Sequence, residues 1–317
     1  MPQPTGAMLA PSTDAAEGWP DWLADGAGPG ACAAVKAHPG FAAAMRASAR
    51  GTVESYDNHP LLNRVLSDRG RLMFSFLALY LDALPEGGGI TAARMTALCQ
   101  ETRLCSHGRA KALLALMRWS GYLAPAEGTG DRRERPLAPT ERMWGSFRER
   151  WRGHFMAMRS LGGVGGDAAA ALDGLGFCRA LALAFGEAFR HGFRMLEHAP
   201  ALIPFADRDG GVVILFALLV AADQDRPPPT VAELARRFHL SRTHVLQVIR
   251  DAMEAGLVAR EAGPPGEHPG YGLSPAGRAA AADFFAASFA LLDCTARRAF
   301  APCGQAPEDA PTVARKI

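Results

Sequence analysis

From Ser241 to Arg250 the chain runs Ser-Arg-Thr-His-Val-Leu-Gln-Val-Ile-Arg. Wound as an α-helix, this segment puts Val245, Val248, Ile249 and Ala252 on one apolar stripe. Arg242, Thr243, Leu246, Gln247 and Arg250 are left outward or at the rim, with Ser241 as the cap and His244 beside it. These groups share one chemistry: a helix N-terminus favours phosphate, arginine pairs with guanine, and glutamine pairs with adenine. An earlier segment repeats the plan. Behind Ser106, the residues Ala110, Leu113, Leu114 and Met117 fall inward and leave His107, Arg109, Lys111 and Arg118 available. That face is basic but less discriminating. It is followed by Asp131-Arg132-Arg133-Glu134-Arg135, with three arginines in four positions. A solvated polar face, or one that docks on protein, has a similar composition.

Other chemistries have less to build on. Six cysteines, at 32, 99, 105, 178, 294 and 303, follow no disulfide-framework spacing, which suits a reducing compartment. Cys99 and Cys105 flank the first candidate face, and the spacing fits either a redox pair or two small buried thiols. Cys105-Ser106-His107 lacks further ligands, so no metal site is expected. The glycines at 162–166 lack the strand-to-helix setting and the Lys-Ser/Thr of a phosphate loop. No nucleophile has a base at a convincing position. Neither catalysis nor a cofactor is expected. A net charge of +2 over 317 residues requires any nucleic-acid affinity to come from local basic clusters. The best apolar run, Val212 to Ala222, stops at Asp223, short of a membrane span, and the N-terminus lacks the basic start of a signal peptide. A soluble cytoplasmic protein is the expectation.

The elements that must position these groups occur twice. Ser106 to Leu123 matches Ser241 to Val258 at a constant offset of 135. Further anchors pair Gly40-Phe41 with Gly176-Phe177, His59 to Leu62 with Ala199 to Leu202, and Phe76 to Leu79 with Phe216 to Leu219. Leu137 to Thr140 is paired with Leu273 to Ala276. Each repeat reads as a lead helix (Phe41 to Tyr56, Phe177 to Glu197), an apolar helix (Arg71 to Leu84, Val212 to Asp223), two short helices, a hairpin and a final helix. The second final helix is expected to run from Ser274 through Leu291. The composition divides the chain into a disordered tail at 1–34, a first repeat at 35–160, a glycine-rich linker at 161–172, a second repeat at 173–301 and a flexible tail at 302–317.

Leu240-Ser241-Arg242-Thr243, then Gly256-Leu257-Val258, then Leu273-Ser274-Pro275-Ala276-Gly277-Arg278 resembles, in order and residue type, the MarR family of regulators. The resemblance covers most of the second repeat and, through the internal match, most of the first. It implies a mainly α fold with small β wings: two tandem winged helix-turn-helix domains with flanking dimerisation-type helices, related by a pseudo-two-fold axis. It also implies sequence-specific binding of double-stranded DNA by a transcription regulator, one chain acting as a pseudo-dimer. The helix after Ser106 or Ser241 would enter the major groove. Arg132, Arg133 and Arg135 match the family's wing signature, in which an arginine enters the minor groove. The second wing, Gly266-Glu267-His268-Pro269-Gly270, departs from that signature and carries no arginine at its tip. Further partners implied are RNA polymerase or another regulator, and a small-molecule effector. Two alternatives share the fold: a tandem winged-helix adaptor like the kleisin-binding subunits of condensin complexes, and a plasmid-type replication initiator.

Overall fold

The computed structural model describes residues 18–58, 69–85, 89–126, 136–222, 227–261 and 269–301. Among these residues it is mainly helical, with two antiparallel two-stranded sheets. Two short helices, α1 (Asp21–Ala27) and α2 (Pro29–Ala37), lead in. The first half follows: α3 (Phe41–Asn58), α4 (Arg69–Ala83), α5 (Ala92–Glu101), α6 (His107–Trp119), the hairpin strands β1 (Leu123–Pro125) and β2 (Leu137–Pro139), and α7 (Glu141–Met158). A tight turn and α8 (Gly165–Ala171) then lead to the second half. It comprises α9 (Leu175–Arg190), the one-turn helices α10 (Met195–His198) and α11 (Ile203–Ala206), α12 (Gly211–Ala221), α13 (Val231–Arg237) and α14 (Arg242–Glu254). Strands β3 (Val258–Glu261) and β4 (Gly270–Leu273) and the long α15 (Pro275–Phe300) complete it.

The same hydrogen bonds build both halves. Thr91 and Thr230 cap α5 and α13 by accepting from Arg94 N and Glu233 N. Arg103 and His239 then take left-handed φ values of 53° and 55°, uncommon for side-chain-bearing residues. Those turns send Leu104 N and Leu240 N back to the carbonyls of Cys99 and Ala235. Ser106 and Ser241 cap α6 and α14, and Gly121 and Gly256 end them at φ 73° and 72°. The Thr140 and Ser274 hydroxyls bond the carbonyls of those glycines and also cap α7 and α15.

This framework corrects one anchor of the internal match. Thr140 and Ser274 are equivalent, as are Pro139, opposite Leu123, and Leu273, opposite Val258. The pairing of Leu137 to Thr140 with Leu273 to Ala276 is therefore two residues out of register. Its shared proline serves different ends: Pro139 closes a strand, whereas Pro275 opens a helix, where its missing N–H costs nothing. The anchor at His59 to Leu62 lies outside the described residues.

The two halves share one core. Lead helix α3 packs on its own final helix α7 and on α12 of the other half, while α9 packs on its own α15 and on α4 of the first half. The apolar helices have exchanged partners. In α12, Gly-Val-Val-Ile-Leu-Phe-Ala-Leu-Leu-Val-Ala, nine of eleven residues are buried, as a helix apolar on every side must be. On the other side of the exchange, α9 approaches α4 closely enough that a Cβ at Gly186 would sit 2.1 Å from the Tyr80 ring.

Four boundaries differ from the expectation. Residues 19–34, assigned to a loose tail, belong to the folded body: Trp19, Leu23 and Ala27 pack against Ala188, Phe193, Leu291 and Cys294. Lys36 pairs with Asp283 at 2.5 Å, and Arg298 lies 4.8 Å from the Trp22 ring centre. The small residues that suggested disorder here permit close helix packing, since a Cβ at Gly26 would lie 2.3 Å from Cys294 Cβ. The linker shrinks to Gly162 and Gly163, both at positive φ, because Gly165–Ala171 is helical and packs on α7. The second lead helix stops at Arg190, with Gly192 at φ 93°, while α15 runs nine residues past Leu291. By length and mean hydropathy α15 contains an 18-residue stretch that would suffice to cross a bilayer, but 67% of that stretch is buried inside the protein.

Candidate nucleic-acid interface

Helices α6 and α14 each bury the stripe that periodicity assigns them: Ala110, Leu113, Leu114 and Met117 in one, Val245, Val248, Ile249 and Ala252 in the other. Their opposite faces point to solvent. Ser106, His107, Arg109, Lys111 and Arg118 are exposed on α6, and Ser241, Arg242, Thr243, Gln247 and Arg250 on α14. The serine caps satisfy Arg109 N and His244 N. The first N–H groups of both helices are left without intrahelical partners, and such groups attract anions.

The two faces differ in charge. From Thr102 to Ala126 the chain carries Arg103, His107, Arg109, Lys111 and Arg118 and no acid. Arg103 was not among the expected site residues, yet it is exposed in the turn before α6. On α14, by contrast, Arg242 and Arg250 share the helix with Asp251 and Glu254. Asp251 accepts from Gln247 Nε2 at 2.7 Å and from Arg208 at 2.5 Å. This fixes the Gln247 amide but leaves its oxygen and second N–H available. Arg242, Thr243 and Arg250 make no side-chain hydrogen bond or ion pair among the described residues.

His244 does not join this face. Half-buried, its Nε2 lies 2.7 Å from the carbonyl of Asp209, tying α14 to the turn before α12. Its place beside the Ser241 cap grouped it with the candidate residues, and nothing local in the sequence names that distant carbonyl. Arg132, Arg133 and Arg135, with the tip of the second hairpin at 262–268, lie outside the described residues. Trp119, absent from the expected set, ends α6 with 72% of its surface exposed, beside a shallow depression formed with Ala115, Arg118, Leu123 and Pro125.

Burial pushes the Cys99 thiol up to about 12 and raises that of Cys105, although Arg109 acts on Cys105 in the opposite sense. Both are held as thiols, the unreactive form. Among the described residues no group of three or more His, Cys, Asp or Glu side chains could hold a metal.

A second concave feature is polar. Between α3 and α7 a narrow cleft is lined by Ser48, Thr52, Ser55, Ser146, Arg150 and His154. His154 Nδ1 lies 2.6 Å from Ser48 Oγ. Burial, helped by Arg150, pushes the imidazole down from 6.5 to about 4. Its folded pKa is thus below its unfolded one, so the neutral ring stabilises the fold fully above about 6.5 and this contribution is lost as pH falls towards 4. His198, also lowered by burial, acts in the same sense. His154→Gln should therefore flatten the fall in stability between pH 7 and pH 4.5 by about 1–3 kcal/mol. Urea melts at the two pH values measure it, and an unchanged pH difference would show that His154 titrates normally.

No protein-family model, curated protein or solved structure matches this chain.

Proposed function

We propose that this chain is a sequence-specific double-stranded-DNA-binding transcription regulator of MarR-like design. Two winged helix-turn-helix units in one polypeptide act as a pseudo-dimer. The observation that carries this reading is the repeated framework around α6 and α14: a left-handed turn, a serine-capped helix with an exposed polar face, a terminal glycine and a hairpin. A helix so presented fits the major groove, and its free N–H groups meet the phosphates that flank it. The first unit supplies mainly charge through Arg109, Lys111 and Arg118. The second supplies discrimination through Arg242, Thr243 and Gln247. Regulators of this kind work in the cytoplasm at the nucleoid, and an effector or RNA polymerase would act through the same body.

Fluorescence anisotropy on a duplex selected from a random pool tests the proposal. With Arg109, Lys111, Arg118, Arg132, Arg133, Arg135 and Arg242 near phosphates, affinity should fall by about 10³-fold or more between 50 and 200 mM salt. Salt-insensitive binding, or selection that enriches no sequence, would overturn it. One observation favours the adaptor reading instead: Trp119, 72% exposed, is of the type that anchors protein interfaces. Absence of DNA binding together with loss of a protein partner on Trp119→Ala would establish that alternative.

A further inference from the structure

The face that joins the halves is built twice, and the two versions carry opposite charge. In one, Arg190 at the end of α9 bonds Glu101 at the end of α5, at 2.7 Å, and also the Tyr80 hydroxyl at 2.9 Å. In the other, Asp57 near the end of α3 receives two nitrogens of Arg237 at the end of α13, at 2.6–2.9 Å. Helices α5 and α13 occupy equivalent places, as do α3 and α9. The lead helix is positive and the short helix negative in the first contact, and the reverse holds in the second. Both acids, Asp57 and Glu101, sit at helix C-terminal ends, where the macrodipole disfavours them. Local helix stability does not account for their positions, whereas pairing across the halves does.

Shape is exchanged in the same way. Tyr80 of α4 fits over Gly186 of α9, which has no room for a Cβ. Its counterpart on α12, aligned through Phe76 and Phe216, is the smaller Val220. The buried positions of α3, the lead helix against which α12 packs, are Phe41, Ala44, Ser48, Ala49, Val53 and Tyr56, none of them glycine.

We propose that this face is an asymmetric docking surface whose partner is the other half of the same chain, and which rejects a second copy of the same half. Two first halves would set Asp57 against Glu101 and drive Tyr80 onto α3, whose buried positions include no glycine to receive it. Two second halves would set Arg190 against Arg237 and leave Val220 short of the gap at Gly186. Specificity then comes from unfavourable contacts in the wrong pair as much as from favourable ones in the right pair.

The full chain with a protease site placed between Gly162 and Gly163 tests this. It is cut after folding, unfolded, refolded and weighed by native mass spectrometry. Unlike pairs should exceed like pairs by about tenfold over a random assortment. Glu101→Arg with Arg237→Glu makes each half self-complementary in charge and should shift the population towards like pairs. Adding Asp57→Arg and Arg190→Asp should restore the unlike pair. A statistical one-to-two-to-one mixture from the parent chain, or no shift on inversion, would overturn the proposal. Should the cut chain fail to refold, thermal melts of the uncut chain decide: Asp57→Arg should lower the midpoint and Arg237→Glu should recover it. Failure of that recovery would count equally against the proposal. These outcomes are independent of whether the protein binds DNA.

Discussion

Expressed separately, residues 18–162 and residues 163–301 are each expected to lack a cooperative folded state, whereas produced together they should recover a one-to-one complex. The exchanged apolar helices are the reason. Without the first half, α12 loses α3, and without the second, α4 loses α9. Nine residues of α12 and eight of α4 are buried in the whole protein, among them Phe74, Leu77, Tyr80, Ile214, Phe216 and Leu218. Re-exposing a large apolar side chain costs about 1.5–3 kcal/mol, so four or five of them consume the about 5–15 kcal/mol by which a domain is stable. Circular-dichroism melts and sizing of each segment, alone and mixed, check this. A sharp two-state melt from either segment alone would mean that the halves are independent domains and the shared core is incidental. DNA binding should follow the fold, with each lone segment weaker by orders of magnitude through loss of the linked second half-site.

The second expected result is an asymmetric DNA site. Arg242, Thr243 and Gln247 have His107, Gly108 and Ala112 as counterparts at the constant offset, so the two exposed faces present different groups. Arg242→Ala should cost about 1–3 kcal/mol of discrimination, roughly 5- to 150-fold, at base pairs on one side of the site only. Lys111→Ala and Arg118→Ala should weaken binding evenly across sequences and reduce the salt dependence. Sequencing the duplexes retained by each variant distinguishes these effects. A palindromic preference, or an equal loss on cognate and scrambled duplexes for Arg242→Ala, would refute the assignment of base reading to α14.

What could be read without coordinates was whatever is fixed within a turn or two of helix. The stripes of α6 and α14, their serine caps and the glycines at 121 and 256 all follow from short-range hydrogen bonding and 3.6-residue periodicity. What escaped depends on contacts distant in sequence. The pairing of α3 with α12 and of α9 with α4 leaves no local trace, because an apolar helix advertises burial but not its partner. For the same reason His244 was assigned to the exposed face, although its ring is held by a carbonyl 35 residues away. Composition misled at 19–34, where alanine and glycine read as disorder. There they give α1 and α2 the slimness to pack on α15.

The exchange of apolar helices also bears on how the chain is made. A ribosome delivers α3 first, and the last residue of its partner α12 emerges about 160 residues later, which at 5–20 residues per second is roughly ten to thirty seconds. Until α9 and then α12 follow, α4 and α3 are out of the exit tunnel without the helices of the other half that cover them. Neither half can be finished before the other is nearly complete, so folding is a single late event rather than two successive ones. Contacts of such long sequence separation slow that event further. The nascent first half is thus the species most exposed to aggregation, and to capture by any chaperone that binds apolar helices.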